Sequence, residues 1–371
     1  MRTSQLTAPV QRNTALLLCV TITMAALATA PGVARPLAQA AARPAFAAAI
    51  QRQVQHTPIA PGARRLAPPA LVSAPLVLVP SAPQVAVTQP ATVPTAAHVA
   101  ADGDFAGRVA IGGARKLYLE CRGTGRPTVI LEAGYRNDAD IWSTEVSHPP
   151  AVLPGIAAFT RVCAYDRPGT LLDAGHRSRS DPVPMPRTAR DLVADLHALL
   201  RAAHVPGPYV LVGHSLGGML VRLYASTYPR QVAGLVLVDA FSEAVKALLG
   251  PVHWPSTERL LNQPPPGLAH YRDLETLTWD ASIAQMQAAK PLRPLPLVVL
   301  CHGRPFQLPP TLPAGFSAAA YERAWRAAQN GLARLEPGTP HIIATASGHY
   351  IQLQQPELVI RAVRQVVQKA R

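Results

Sequence analysis

The sequence predicts an α/β protein with a mostly parallel, eight-stranded sheet that carries helices on both faces. Two observations support this. Eight short apolar runs have the length and composition of strands, and stretches with helical periodicity lie between several of them. Hydrophobic residues make up 49% of the chain and charged residues 15%, which is enough apolar surface for a sizeable core.

The N-terminal hundred residues differ in composition from the rest. Arg2 and Arg12 precede an uncharged apolar run at 14–30, so we expect a secretory signal peptide over residues 1–40 and export to the periplasm or the medium. An uncleaved membrane anchor is the alternative, although the run is short for a span. Residues 41–105 are rich in alanine and proline, which predicts a disordered linker.

The formal net charge is +14. Basic residues are scattered rather than grouped into runs with interleaved aromatic residues. We therefore expect no nucleic-acid partner, and at most a loose association with an anionic envelope surface. The sequence does not predict the oligomeric state.

Cys19 lies in the N-terminal apolar run, which leaves Cys121, Cys163 and Cys301. Three cysteines cannot all pair within one chain, and their wide spacing matches no zinc pattern. Each lies in an apolar run, so the sequence favours buried free thiols. A Cys121–Cys163 disulfide in an oxidising compartment is the alternative.

Residues 106–371 are expected to form one domain. It begins with a hairpin turning at Gly112 and Gly113, and further strands are expected at 128–132, 160–165, 209–212, 234–238, 295–300 and 341–345. Helices are expected at 186–205, 218–225, 321–335 and 357–369. Residues 240–294 interrupt the alternation, with Pro264–Pro266 between two helix-like pieces, which predicts a small cap.

The segment Gly213–Gly217, with sequence GHSLG, follows an apolar strand and begins a helix. This context is typical of a nucleophile elbow, a sharp turn that exposes a serine above the sheet edge. Ser215 is the candidate nucleophile. The alternative is an ordinary strand-to-helix turn with a solvent-exposed hydroxyl.

A serine nucleophile needs a base that a third group orients. His349 is expected in the loop after the last strand, at the sheet edge that carries the elbow. His214 lies within the elbow and is expected to shape the turn. His302 and His341 lie beside strand ends, and we interpret both as structural.

The acid is expected after the strand that follows the elbow helix, or after the next strand. The second place offers no carboxylate before Glu322, which falls in a predicted helix, so Asp239 is the candidate acid. Asp280 and Glu243 are alternatives without a strand end to fix them. The backbone amides of Leu216 and Tyr135 are the candidate oxyanion donors.

Six motifs in this order resemble the α/β-hydrolase superfamily over 107–371: LECRG at 119–123, LEAG at 131–134, YDRPG at 165–169, VGHSLGG at 212–218, VLVD at 236–239 and SGH at 347–349. The resemblance implies a serine hydrolase without metal or cofactor. It also implies that Ser215 and His349 match the nucleophile and the base.

The sequence thus favours an exported serine hydrolase that cleaves a small-molecule carboxylic ester through an acyl-enzyme. An acyltransferase or peptidase that uses the same triad is one alternative, because the triad does not select the acyl acceptor. A non-catalytic ligand-binding protein with a degenerate triad is another. Specificity is expected from bulky cap residues: Trp254, Tyr271, Trp279 and Met286.

Overall fold

The computed structural model describes residues 103–146, 150–171, 178–265 and 267–371. The expected signal peptide and all but the last three residues of the expected linker lie outside these ranges. The first element of the described residues is strand β1, which begins at Phe105. Within the described part of the chain, the helices are too short or too polar to cross a bilayer.

Eight strands form a single sheet in the order β1-β2-β4-β3-β5-β6-β7-β8. The two contacts that involve β2 are antiparallel, and the remaining five are parallel. The strands are β1 Phe105–Gly112, β2 Arg115–Arg122, β3 Thr128–Glu132, β4 Val162–Tyr165, β5 Tyr209–His214, β6 Val232–Val238, β7 Leu297–His302 and β8 His341–Ala344. The mostly parallel, eight-stranded sheet predicted from the sequence is therefore confirmed.

The helices are α1 Val152–Ala157, α2 Ala189–Ala202, α3 Leu216–Thr227, α4 Ala244–Asn262, α5 Trp279–Gln287, α6 Ala318–Leu332, α7 Ile351–Gln354 and α8 Pro356–Lys369, and a short 3₁₀ helix spans Ala139–Trp142. The first turn of α2 is fixed by a capping box, because the side chains of Thr188 and Asp191 each bond the other's backbone. Pro356 occupies the first turn of α8, where its missing N–H costs nothing.

Side chains of the central strands alternate between two hydrophobic cores. Leu211 of β5 packs in the core that contains α2 and α3, whereas Val210 and Val212 pack in the core that contains α1 and α8. Successive side chains of a strand point to opposite faces, so both faces of the sheet are covered by helices. Fully buried strands explain why these runs are apolar throughout rather than alternating.

The cap lies between β6 and β7 and contains α4 and α5, as the proline-separated pieces predicted. Helix α4 is kinked at Gly250, where φ is +63°. The cap is attached to the rest of the domain by backbone bonds from Glu275 to Gly169 and by reciprocal bonds of Arg187 with Thr276 and Thr278. These contacts place cap residues over the carboxyl edge of the sheet.

The expectation of buried free thiols is wrong for two of the cysteines. Cys121 of β2 and Cys163 of β4 are directly opposite in antiparallel register and form a disulfide. The strands are 42 residues apart in sequence, and β4 lies between β2 and β3 in the sheet, a position that the sequence order alone does not reveal. Cys301 is a buried free cysteine, as expected.

Candidate active site

Ser215 lies at the turn between β5 and α3. Its backbone has φ +52° and ψ −121°, a combination that non-glycine residues rarely adopt. Ser215 N–H donates to the Val238 carbonyl (3.2 Å), and the Ser215 carbonyl accepts from Gly218 (2.9 Å) and Phe241 (2.8 Å). These bonds hold the strained turn between β6 and the start of the cap.

Glycine at position 217 is required for this packing. A Cβ atom at Gly217 would lie 2.3 Å from the Glu132 carbonyl oxygen, so any larger residue would push α3 away from the end of β3. The start of α3 therefore lies against the loop that follows β3. Both elements carry a candidate oxyanion donor.

Asp239 directly follows β6 and is fully buried, with a left-handed backbone (φ +43°). Its carboxylate accepts four hydrogen bonds, from His349 Nδ1 (2.6 Å), His302 Nδ1 (2.8 Å), His302 N (3.2 Å) and Trp325 Nε1 (3.1 Å). Burial opposes ionisation, but the bonds from the two histidines outweigh it and hold the pKa of Asp239 well below its usual range. Asp239 is therefore a carboxylate at neutral pH.

His349 lies in the loop between β8 and α7 and keeps 18% of its side chain exposed. The preceding residue is fixed because Gly348 N–H donates to Gln354 Oε1 (2.7 Å). With Nδ1 directed at the Asp239 carboxylate, the other ring nitrogen, Nε2, is left free to accept a proton. This is the orientation that a general base requires.

His214 connects the elbow to this loop. Its Nε2 lies 3.0 Å from the His349 carbonyl oxygen, to which it donates, and the two rings are 4.6 Å apart. Burial, with a smaller contribution from the charge of His349, lowers the pKa of His214 to about 3, so the ring is neutral at physiological pH. The residue before Ser215 thus fixes the backbone of His349 as well as the turn.

The candidate oxyanion donors lie just after two neighbouring strands, β3 and β5. Leu216 is the first residue of α3, where a backbone N–H has no intrahelical partner and the helix dipole favours negative charge. Tyr135 lies in the loop after β3. A Cβ atom at the preceding Gly134 would lie 2.6 Å from His214 Nδ1, so glycine is what allows this loop to approach the elbow.

A buried charge network holds the Tyr135 loop in place. Arg167 donates to the carbonyl oxygens of Ala133 (2.9 Å) and Gly134 (2.6 Å). It also forms ion pairs with Glu132 and Glu275, both at 2.6 Å, and all three side chains are at most 2% exposed. Glu275, which belongs to the cap, also accepts the Arg136 backbone N–H. The cap and the oxyanion loop therefore share one network.

His302 has a part in the site that the sequence analysis missed. Besides its bonds to Asp239, its Nε2 lies 2.9 Å from Glu322 Oε1, and its ring is fully buried. The sequence analysis interpreted His302 as structural and did not predict its contact with the candidate acid. The sequence did contain one signal for this contact. His302 ends the strand after β6, a place where a triad acid is also expected.

The alternative acids lie elsewhere. Glu243 pairs with Arg222 through two bonds of 2.7 and 2.9 Å. Asp280 is 54% exposed and binds Lys246 and the Trp254 indole. The structure brings Asp239, and neither of these, to His349.

Aromatic rings surround His349. Phe306 lies 5.0 Å from its ring and Trp325 lies 5.4 Å away in an edge-on arrangement. Both residues come from the segment after β7, and sequence reasoning did not single them out. Such rings limit the access of water to the His349–Asp239 pair.

Of the bulky cap residues, Trp279 comes nearest to the candidate oxyanion loop. Its ring packs edge-on against Tyr135 at 5.3 Å and against Phe241 at 5.1 Å, and Phe241 bonds the Ser215 carbonyl. Tyr271 packs in a small separate cluster with Leu171, Leu268 and Leu274. Trp254 and Met286 are buried in the larger core.

Asp239, Cys301 and His302 are the group that could approach a metal ion, among the residues that the structure describes, with one ligand atom each within 4.8 Å of the others. The oxygens of Asp239 already accept N–H donors. Burial raises the pKa of the Cys301 thiol to about 12, so it lacks the thiolate that binds metals. The donor set fits a hydrogen-bond network better than a cation site.

Residues 127–361 match the model of a family described as alpha/beta hydrolase fold. This match covers more than half of the chain, which therefore belongs to the α/β-hydrolase family. A solved structure of a probable hydrolytic enzyme from Pseudomonas aeruginosa has the same fold (TM-score 0.50, 21% identity, 72% of this chain and 95% of that one).

Among curated relatives, an AB hydrolase superfamily protein from Gibberella zeae is 22% identical over 312 residues, which cover 69% of this chain and 92% of the relative. The uncharacterized protein YqjL from Bacillus subtilis is 30% identical over 118 residues, 32% of this chain and 41% of that protein. The chain spans less than half the length of the first curated relatives that it matches. These partial matches therefore do not indicate the activity of this chain.

Proposed function

We propose that this α/β-hydrolase cleaves carboxylic esters through an acyl-enzyme intermediate. Ser215 attacks the carbonyl carbon, His349 takes the serine proton and returns it to the leaving alcohol, and Asp239 orients His349. The backbone amides of Leu216 and Tyr135 stabilise the oxyanion. Water then attacks the acyl-enzyme with His349 again as the base.

The observation that carries this proposal is the 2.6 Å bond between His349 Nδ1 and the buried Asp239 carboxylate. That bond sets the tautomer in which Nε2 is the basic nitrogen. The elbow supports it, because the strained backbone of Ser215 lies at the N-terminus of α3 and His214 bonds the His349 carbonyl. A surface serine in an ordinary turn would need none of these contacts.

Apolar rings near the elbow favour an apolar acyl group over a charged one. The ring of Trp279 in the cap packs against that of Phe241, whose backbone N–H bonds the Ser215 carbonyl. The Cys121–Cys163 disulfide supports the expected export, because disulfides persist in oxidising compartments. Export and a small-molecule ester substrate are parts of the same proposal.

Labelling with a fluorophosphonate tests the proposal directly. The folded protein is expected to be modified at Ser215 and to hydrolyse p-nitrophenyl esters, and Ser215→Ala is expected to abolish both. Ser226→Ala is the matched control, since Ser226 lies near the end of α3 and bonds Lys290. A folded wild-type protein that is neither labelled nor active on esters of several chain lengths would favour a ligand-binding protein.

The acyl acceptor is tested in the same assay. Alcohols or amines are added to the ester reaction, and the products are separated by mass. Hydrolysis is expected to dominate at millimolar acceptor concentrations. Predominant transfer to the added alcohol or amine would instead identify an acyltransferase.

A further inference from the structure

The ring of His302 lies between two carboxylates at the end of β7. Nδ1 is 2.8 and 3.0 Å from the two oxygens of Asp239, and Nε2 is 2.9 Å from Glu322 Oε1. The side chains of His302 and Asp239 are fully buried, whereas that of Glu322, on α6, is 20% exposed. Both ring nitrogens therefore face acceptors.

The number of N–H donors shows which protonation state of His302 these two contacts require. Ionised carboxylates only accept hydrogen bonds, and a neutral imidazole has a single N–H, so only an imidazolium can donate to both. Glu322 is itself held in the ionised form by Arg326 Nε (2.6 Å) and the Phe306 N–H (3.3 Å). The proton between His302 Nε2 and Glu322 Oε1 therefore belongs to the ring of His302.

Electrostatics agrees with this count. Burial disfavours the cation, but the hydrogen bonds and charges of Asp239 and Glu322 outweigh it and raise the pKa of His302. Burial likewise opposes ionisation of Glu322, but its bond to His302 outweighs this and lowers its pKa. The two groups stabilise each other's charged form.

We propose that His302 is a positioning residue of the triad: a buried imidazolium that holds the Asp239 carboxylate beside His349 and reduces the negative potential that this carboxylate exerts on the base. This inference rests on the proposed function, because it concerns the acid and base of the same site. His302 and His349 both bond Asp239 Oδ2, at 2.8 and 2.6 Å, so His302 acts through the acid and not on the substrate.

The electrostatic effect of His302 on the site follows from its charge. A carboxylate beside a histidine favours the imidazolium, and a second cation bonded to that carboxylate offsets part of this attraction. The other titratable or charged groups around Asp239, His302 and His349 are His214 of β5, Cys301 of β7, Tyr321, Glu322 and Arg326 of α6, and Tyr350, which follows His349. His214, Cys301, Tyr321 and Tyr350 are uncharged at neutral pH, since burial disfavours their charged forms. Glu322 and Arg326 form an ion pair, so their opposite charges largely cancel.

The test compares pH profiles of kcat/KM for the wild type, His302→Gln and Glu322→Gln. In His302→Gln the cation is lost while one amide donor remains for Asp239, so the acidic limb is expected to move up by about one pH unit. In Glu322→Gln one of the two acceptors that favour the imidazolium becomes a neutral amide, whereas the contact with Asp239 remains. A smaller upward shift of the acidic limb is therefore expected than in His302→Gln.

Glu336→Gln is the matched control. It removes a carboxylate after the same helix, away from the site, and is expected to leave the profile unchanged. Should His302→Gln fold poorly, Glu322→Gln still decides the matter. A lower kcat with an acidic limb that stays in place in both variants would overturn the inference and leave His302 a purely structural residue.

NMR of ¹⁵N-histidine-labelled protein separates this inference from the proposed function. At pH 7 both ring nitrogens of His302 are expected to carry protons. If fluorophosphonate labelling fails, the proposed function is wrong, and the spectra still report the state of His302. One unprotonated ring nitrogen on His302 at pH 7 would overturn the inference.

Discussion

Replacing Glu275 by glutamine is expected to weaken both the fold and the oxyanion site, although Glu275 lies on the cap. Its carboxylate accepts from Arg167 Nε (2.6 Å), Arg167 Nη2 (3.1 Å) and the Arg136 backbone N–H. A glutamine keeps one acceptor oxygen and turns an N–H₂ group towards donors. It therefore loses one or two charge-assisted hydrogen bonds, each worth about 1.5–3 kcal/mol.

The loss of unfolding free energy is expected to be about 3 kcal/mol, because Arg167 keeps Glu132 as a partner in the variant. Arg167 also bonds the Ala133 and Gly134 carbonyls, so a shift in its position displaces the neighbouring Tyr135 amide. Misplacement of a catalytic group by about 1 Å costs on the order of 100-fold in rate. The expected signature is a large fall in kcat with little change in KM.

Urea unfolding followed by tryptophan fluorescence measures the stability, and ester hydrolysis measures kcat and KM. Glu258→Gln is the control, since it removes a carboxylate from the cap helix α4 without touching Arg167. A Glu275→Gln variant whose unfolding free energy stays within about 0.5 kcal/mol of wild type, with an unchanged kcat, would refute the coupling of cap and oxyanion loop.

Three further perturbations follow from the structure. Asp239→Asn is expected to lower kcat about 10⁴-fold by allowing the wrong His349 tautomer; a loss below tenfold in the ester assay would remove Asp239 from the triad. Reduction of Cys121–Cys163, which closes a 42-residue loop, is expected to cost up to about 4 kcal/mol in urea unfolding, whereas a Cys121→Ala/Cys163→Ala variant should not respond to the reductant. His214 has a pKa of about 3 when folded and 6.5 as a free group, so the unfolded state binds its proton first and stability is expected to fall as pH drops from 6.5 towards 3. His214→Gln should flatten that slope by up to about 1.4 kcal/mol per pH unit, and an unchanged slope in pH-dependent urea curves would contradict the assignment.

The central strands were predictable because β3 to β7 are buried on both faces and form short apolar runs in the sequence. Short helices such as α1 and α7 were not predicted, since four to six residues give too little periodicity to detect. The disulfide was not favoured because pairing depends on the placement of β4 next to β2. Spatial neighbours that are distant in sequence leave no local signal.

The same limit applies to the site. Ser215, Asp239 and His349 each follow a strand, so their common edge could be inferred from strand order alone. The network of Arg167, Glu132 and Glu275 could not, because it joins two loops and the cap over more than 100 residues of sequence. The position of a residue after a strand predicts which catalytic candidates meet at the sheet edge. It does not predict which other side chains fix the loops that carry them.

The carboxyl end of β7 is a place where a triad acid is also expected, but the strand ends in a histidine. The backbone N–H and the ring of His302 both donate to the acid that follows β6. Asp239 reaches this point only by adopting a left-handed backbone, a strain on the order of 1–3 kcal/mol that its four hydrogen bonds offset. A carboxylate at position 302 would instead face Asp239 with like charge. Asp239 after β6 and His302 at the end of β7 are therefore complementary. We expect that placing an acid at 302, or a histidine at 239, disrupts the site unless the other position changes as well.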